Sequence, residues 1–227
     1  MKLTKKKVFV TALAICLVAI LSMGTLAWFN DSDAITNEFL IADSDGDGTP
    51  DFSVEVWENE NDGDDTADAD GDGDPIITHD GNTYEEIAPG DELAKNPTIE
   101  NTGDYDQWIR VYVTFDEWAT INAACQAKGT STDLRSWLNV DSANWTEDAN
   151  APVVADNKVT YVYYYNYKLV ADQEVELFST VSIPGAFEQE DMRFVSDNFT
   201  ITVKAEALQA DNTGATAQEA FAAYWQY

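Results

Sequence analysis

The sequence is short of cysteine and histidine, and each shortage excludes a class of protein. Its 227 residues contain two cysteines and one histidine. Cys16 lies in an apolar leader, so Cys125 is the single thiol of the remaining chain and no internal disulfide can form. A zinc site built from cysteine is excluded for the same reason. We expect Cys125 to be a small buried apolar side chain, and the fold to depend on core burial, a metal ion or assembly.

Basic residues are scarce as well, because 12 Lys and Arg stand against 42 Asp and Glu. Four of the lysines precede residue 8, so loss of a leader ending at residue 27 leaves eight basic and 42 acidic residues, a net charge of −34. No basic patch remains to neutralise phosphates, and we therefore expect no nucleic-acid partner. This charge favours divalent cations, and it opposes self-association until salt or cations screen it.

Long apolar runs are limited to one, over residues 8–23, behind a lysine-rich start. Thr25 and Ala27 then place small residues at the two positions that a signal peptidase reads, which predicts cleavage between Ala27 and Trp28. An uncleaved membrane anchor is the alternative, although the run is slightly short for spanning a bilayer. We predict a signal peptide over 1–27 and a secreted protein of the extracellular matrix or cell surface, not bound to a membrane after cleavage.

The segment over residues 28–42 is predicted to be an amino-terminal strand without a fixed partner. From Ile35 onward it alternates with the period of a strand, and one face carries Ile35, Asn37, Phe39 and Ile41. A strand at a free chain end can pair within its own fold, or it can complete the sheet of another copy, as in donor-strand complementation. The sequence therefore predicts a homopolymer built by strand exchange.

An acidic block over residues 43–75 follows, with 14 Asp and Glu and no Lys or Arg. Two stretches in it place carboxylates at positions 1, 3 and 5 of a loop and glycine at position 6, a spacing that lets a curled backbone surround one Ca²⁺. The candidate ligands are Asp43, Asp45, Asp47, Thr49 and Asp51 in the first loop and Asp68, Asp70, Asp72 and Asp74 in the second. The acid usual at the last position is missing from both loops, so a solvated acidic loop is the alternative for each. We predict calcium as a structural cofactor.

Short alternating segments separated by turn residues fill the rest of the chain. They predict strands over 52–57, 108–115, 159–169, 175–183 and 199–207. Helices are predicted over 116–127, from residue 132 or 133, and over 214–227. Because no βαβ rhythm is present, we predict an all-β fold. Its simplest form is an antiparallel jelly-roll-like sandwich over 76–227, with short helices in the connections and the acidic block as an insertion.

Two further features bear on function. Tyr161, Tyr163, Tyr165 and Tyr167 share one face of a predicted strand, which indicates either a packed sheet surface or a sugar-binding stripe. His79 is the one histidine and lies in a Thr-His-Asp-Gly turn, without the H-E-x-x-H pattern of zinc peptidases. We therefore expect no enzymatic activity.

Several motifs, taken together and in order, resemble a known family. The leader ends in TLAWFND and is followed by ITNEF, as in exported proteins that the signal peptidase SipW processes in Gram-positive bacteria. Residues 87–103, IAPGDELAKNPTIENTG, are followed by WIRV at 108–111, and FTITVKAEALQA at 199–210 is similar to the closing strand of the same group. The family is that of TasA, the biofilm matrix fibre protein, and camelysin. The resemblance spans most of the chain after residue 27, but not the acidic block.

This resemblance implies a jelly-roll subunit that polymerises by passing its amino-terminal strand into the next copy. It thus implies a secreted structural subunit of biofilm matrix fibres. Its main partners would be other copies of the same chain, and other matrix proteins are further candidate partners. A monomeric calcium-dependent surface adhesin is the alternative. A metallopeptidase is a third interpretation, since camelysin has been classed as one, but the residues do not support it.

Overall fold

The structure is a computed structural model that describes residues 30–33, 52–60, 76–84, 86–196 and 199–224. The strands are β1 (Asn30–Asp33), β2 (Glu55–Asn59), β3 (Ile77–Thr78), β4 (Glu92–Ala94), β5 (Thr98–Glu100), β6 (Gln107–Phe115), β7 (Trp145–Glu147), β8 (Val153–Ala155), β9 (Lys158–Tyr165), β10 (Glu174–Glu176), β11 (Thr180–Ser182) and β12 (Ile201–Gln209). The helices are α1 (Trp118–Lys128), α2 (Arg193–Ser196) and α3 (Ala217–Tyr224), with a 3₁₀ turn at Leu134–Trp137. The strand pairings found in these residues are antiparallel, which confirms the predicted all-β class with short helices.

The larger sheet has six strands and is centred on β6. Its order is β1-β12-β6-β9-β7, and β8 lies beside β9 next to β7. The alternation predicted for β6 places Ile109, Val111 and Val113 on the inner face, where they are fully buried. Ile109 and Val111 lie opposite small residues of β12, since Ile109 pairs with Ala207 and Val111 with Ala205. This close pairing makes β6 and β12 the middle of the molecule.

The second layer is a four-stranded sheet of order β10-β5-β2-β3, extended by a β4–β11 ribbon. β4 pairs with β11 and β5 pairs with β10, and the two pairings follow one continuous register. β4 and β5 are therefore two parts of one interrupted strand, and so are β10 and β11. The segment 175–183, predicted as one strand, is therefore two strands. The interruption falls where Leu177 and Phe178 are both buried, because two successive inward side chains cannot occur in a regular pleat.

The acidic block contributes to this second sheet. β2 lies between β5 and β3, and its approach segment buries Phe52 and Val54 in the common core. The strand itself covers Glu55–Asn59, a shift of a few residues from the predicted 52–57. The strand that interrupts the acidic block is thus an inner strand of the second sheet.

The predicted helices are present with shifted ends. The helix expected over 116–127 is α1, which begins after Glu117 in a left-handed conformation and ends at Gly129, also left-handed. The second helix is the 3₁₀ turn, at whose start Arg135 N donates a hydrogen bond to Asp133 Oδ1 at 3.1 Å. The carboxy-terminal helix α3 begins at Ala217, three residues later than predicted, and the described residues end at Tyr224. No helix among the described residues is long and apolar enough to cross a membrane.

α3 covers one end of the outer face of the six-stranded sheet. Phe221 packs there with Trp108, Tyr164 and Leu208 in a second apolar cluster. Beneath it, Arg110 donates from Nε to Glu206 Oε2 at 3.1 Å, and both side chains are buried. The guanidinium lies 4.3 Å from the centroid of the Phe221 ring. The molecule therefore has three layers, with β12 in contact with all of them.

Candidate functional site

The candidate site is the outer edge of β12, for which the described residues supply a strand partner along one half. On one side β12 pairs with β6 over its whole length, Ile201–Gln209. On the other side it pairs with β1 alone, from Ala205 to Leu208. Among the described residues, no strand lies on that side of residues 201–204. Their backbone donors and acceptors on this edge form a ready template for another strand.

A cavity of about 480 Å³ lies beside residues 199–203, between the two sheets. Its apolar walls come from distant parts of the sequence: Val56, Ile87, Leu93, Phe199, Ile201 and Val203. Protein interiors are close-packed, and voids larger than a water molecule are few. A space of this size, with apolar walls on the β12 side, is therefore the feature of the described residues best suited to receive a further apolar group.

One end of the cavity is polar and is built around a buried ion pair. Lys95 Nζ contacts Glu58 Oε1, and the two residues are 8% and 6% exposed. Asn82 supports this pair, since its Nδ2 donates to Glu58 Oε2 at 3.1 Å and to the Asn59 carbonyl at 2.8 Å. A buried pair of this kind is strongly disrupted when one partner is lost. It fixes β2 against the segment that leads into β5.

Tyr84 closes the same end of the cavity. Its hydroxyl donates to the Ala94 carbonyl, which ties the segment after β3 to β4. Burial and the negative charge of Glu58 raise the pKa of the Tyr84 phenol above its ordinary value. The phenol is therefore neutral at any physiological pH and acts as a fixed hydrogen-bond donor.

The N-x-G motif turns the chain at the opposite end of the sandwich. Asn101 Nδ2 donates to the carbonyls of Tyr105 and Leu169, both at 2.9 Å. Gln107 Nε2 donates to Asn101 Oδ1 at 2.6 Å and to the Ser53 carbonyl at 2.8 Å. Since Gln107 pairs with Gln209, the chain enters β2 at the Gln209 end of β12. The family-like motif thus fixes where the acidic block joins the fold.

The arginine of the WIRV motif fixes the paired half of β12. Burial disfavours charge on Arg110, but the hydrogen bond and charge attraction from Glu206 outweigh it and raise the pKa of the guanidinium. Tyr112 donates to Glu206 Oε2 at 3.0 Å, and Lys204 Nζ lies 3.1 Å from Glu206 Oε1. Glu206 therefore accepts from three side chains and holds β12 against β6.

The predicted donor and processing residues lie outside the described residues. They are Ala27 and Trp28 at the cleavage site and Ile35, Asn37, Phe39 and Ile41 of the donor strand. The structure describes only Asn30–Asp33 of the segment 28–42, and these four residues pair with β12.

The predicted calcium ligands also lie outside the described residues. They are Asp43, Asp45, Asp47, Thr49, Asp51, Asp68, Asp70, Asp72 and Asp74. His79 is exposed at the polar rim of the cavity. In the part of the chain that the structure describes, no group of three or more His, Cys, Asp or Glu could hold a metal ion.

The tyrosine face belongs mainly to the core. Tyr161, Tyr163 and Tyr165 are buried in the main apolar cluster, while Tyr167 is 56% exposed because β9 ends at Tyr165. Tyr161 accepts a hydrogen bond from Leu134 N at 2.9 Å, which anchors the 3₁₀ turn. These contacts favour the packed-surface interpretation over a sugar-binding stripe.

The cavity itself was missed by sequence reasoning. Val56, Leu93 and Val203 belong to three different strands, and only the tertiary fold brings them together. A weak signal exists in the alternation of 199–207, which predicts a strand but not a half-paired one. Comparison of the chain with family models, curated proteins and solved structures finds no match.

Proposed function

We propose that this protein is a secreted structural subunit of extracellular matrix fibres, which assembles by strand exchange between copies and is modulated by calcium. The half-paired edge of β12 beside the apolar cavity carries the proposal. The family resemblance of the motifs supports it from the sequence. An open sheet edge is a hazard unless it is filled, and filling it from a neighbour repeats along a fibre because head-to-tail contacts need not close.

β1 is suited to exchange because of its place in the sheet. In the part that the structure describes it covers Asn30–Asp33, lies at the sheet edge and pairs with β12. Its departure would break no other strand pairing among the described residues. The contacts that it makes within one chain can be made equally by the same segment of another chain, as in domain swapping.

The finer architecture that we propose is a jelly roll completed by this strand. Calcium would bind the loop that begins at Asp43, directly after the donor segment. It would lower the repulsion between subunits that each carry a large negative charge. The dissociation constant for calcium in extracellular modules of this type is on the order of 10⁻⁴–10⁻³ M. Occupancy of the loop would therefore follow the calcium concentration outside the cell, and calcium would not act as a sharp trigger.

Deletion of residues 28–41 tests the proposal. We expect the truncated protein to remain a folded monomer and to lose all polymers, as measured by size-exclusion chromatography and electron microscopy. Internal substitution of Thr36 by Ser leaves the segment intact and serves as the control that still polymerises. Fibres formed by the truncated protein would refute strand exchange.

A monomeric calcium-dependent adhesin is the second candidate. The exposed rings of Tyr105 and Tyr167 favour it, because aromatic faces at a surface suit carbohydrate. Size measurement with calcium and with chelator separates the two functions. An adhesin stays monomeric in both conditions, whereas a fibre subunit forms large species. We propose no catalytic role for His79, so a metallopeptidase is not part of this proposal.

A further inference from the structure

The side chains of Lys95, Asn82 and Glu58 meet at the polar end of the cavity between the two sheets. Each comes from a different part of the fold, since Glu58 lies in β2, Lys95 follows β4 and Asn82 follows β3. We infer that the chain forms a covalent amide within itself, between the Lys95 and Asn82 side chains, with Glu58 as the acid–base group. This inference does not depend on fibre assembly.

One carboxylate holds both reacting groups. Lys95 Nζ contacts Glu58 Oε1, and Asn82 Nδ2 donates to Glu58 Oε2 at 3.1 Å. The amine and the carboxamide therefore lie within hydrogen-bond reach of the two oxygens of one group. Such proximity turns a slow reaction between two molecules into a step within one molecule. An acid–base group must reach the proton that it moves, and Glu58 reaches a proton on each partner.

The carboxamide of Asn82 is also held in place. Its Nδ2 donates a second hydrogen bond to the Asn59 carbonyl at 2.8 Å, so both protons of this nitrogen have acceptors. Glu58 in turn is fixed by its position in β2, where it pairs with Thr78 of β3. The nitrogen that leaves as ammonia is thus the atom that faces the carboxyl group able to protonate it.

Burial favours the neutral groups that the reaction needs. Lys95 and Glu58 are both buried, and the apolar side chains of Ile87 and Leu93 line the same cavity. Two charges in a buried place carry a large desolvation cost. Transfer of one proton from Lys95 Nζ to Glu58 removes both charges and leaves a free amine, which is the nucleophile.

The reaction balances without a further reactant. The lone pair of Lys95 Nζ attacks Cγ of Asn82, and the Nζ–Cγ bond forms while the carbonyl electrons move onto Oδ1. When the carbonyl forms again, the Cγ–Nδ2 bond breaks. Nδ2 takes the proton of the Glu58 carboxyl group, and Glu58 takes one further proton from Nζ. Ammonia leaves, the amide remains, Glu58 stays a neutral acid, and no atom is oxidised or reduced.

The amide fixes the segment after β3 against the segment between β4 and β5. It closes the chain from Asn82 to Lys95 into a ring, inside which the Tyr84 hydroxyl already donates to the Ala94 carbonyl. A cross-link restricts the unfolded chain more than the folded one, so the ring stabilises the fold.

Mass spectrometry of the purified protein after digestion with trypsin tests the inference. We expect the bond between Lys95 and Asn96 to stay uncut, because the Lys95 side chain is acylated, so that the fragment ends at Arg110. This fragment should be lighter than its sequence by one ammonia, about 17 Da. A fragment of full mass would overturn the inference. So would an ammonia loss together with cleavage after Lys95, which would mark a cyclic imide.

Variants identify the groups involved, and those at Asn82 leave the ion pair of Lys95 with Glu58 intact. Asn82→Ala should give the full mass and cleavage after Lys95, whereas Asn82→Asp should lose water instead of ammonia, about 18 Da. Asn96→Ala is the matched control and should keep the ammonia loss. Linkage that persists in Asn82→Ala, or that vanishes in Asn96→Ala, would overturn the assigned pair. Glu58→Gln should lower the linked fraction at least about tenfold, and an unchanged fraction would overturn the role of Glu58.

Discussion

The two halves of β12 share one strand but differ in what completes them. The half from Ala205 to Leu208 has β6 on one side, β1 on the other and α3 above it, and all four of its residues are buried. Among the described residues, the half over residues 201–204 has β6 as its only strand partner, and of its four residues only Val203 is buried. Burial along β12 thus follows the second strand partner rather than the residue type, since even Glu206 is buried where that partner is present.

This difference shows how one strand can serve both stability and assembly. In the completed half, the buried carboxylate of Glu206 is held by hydrogen bonds and ion pairs with Arg110, Tyr112 and Lys204. The other half places the apolar side chains of Ile201 and Val203 beside the cavity. We infer that the pairing of residues 205–208 with β6, together with the buried contacts of Glu206, stabilises the single chain.

The largest expected effect is in the completed half. Arg110→Ala leaves the buried carboxylate of Glu206 without its main partner, and breaking such a pair costs about 3–5 kcal/mol. We expect the free energy of unfolding in urea to fall by that amount. The double variant Arg110→Met with Glu206→Leu should recover most of the loss, because no charge is left buried. A loss below about 1 kcal/mol in the single variant would show that this half does not depend on the pair.

The second effect is a loss of stability at alkaline pH, and it involves two buried tyrosines of β9. Burial raises the pKa of Tyr161 to about 12, and burial with the Asp148 hydrogen bond raises that of Tyr164 to about 12. Both phenols titrate near 10 in the unfolded chain, so the folded state holds its protons longer and stability falls between about pH 10 and 12.

From pH 9 to pH 11 these two groups contribute about 2–3 kcal/mol to the loss in the free energy of unfolding. Tyr84 and Tyr163, whose pKa values burial also raises, add to the measured total. Deletion of residues 28–41 should leave the contribution of Tyr161 and Tyr164 unchanged, because neither lines the cavity. A loss that disappears with the deletion would place these tyrosines in the open half. Phenolate absorbance gives an independent record of the same titration.

The smallest effect on the monomer is expected in the open half. Ile201→Ser removes one partly buried apolar side chain and should lower the free energy of unfolding by only about 1 kcal/mol. Assembly should suffer more, with the protein concentration needed for fibres rising about tenfold, which corresponds to about 1.4 kcal/mol per contact. Thr202→Ser, on the exposed face, is the matched control and should change neither quantity. Equal effects of the two substitutions would contradict a role in assembly for the cavity side of residues 201–204.

Local patterns predict the strands whose alternation is regular. β6 and β12 were located from their apolar residues, and α1 from the segment after Asp116, because each depends on neighbours along the chain. The double inward step at Leu177 and Phe178 breaks a strand, and alternation alone does not reveal it. β9 ends at Tyr165, earlier than its aromatic sequence indicates, so Tyr167 is exposed.

The open edge could not be predicted in the same way. Within the described residues, β1 pairs with β12 only from Ala205 to Leu208, and walls from three distant strands meet beside Ile201. Both are properties of the tertiary fold. The sequence did indicate a segment able to fill such an edge, through the alternation of Ile35, Asn37 and Phe39. The predicted donor and calcium residues lie outside the described residues and stay predictions.

Electron microscopy of the purified protein from residue 28 onward, with calcium and with chelator, tests strand exchange most directly. We expect long unbranched fibres in calcium and shorter or fewer fibres in chelator, with no other protein added. Isolated particles of monomer size in both conditions would contradict the claim that the open half of β12 is completed by another copy.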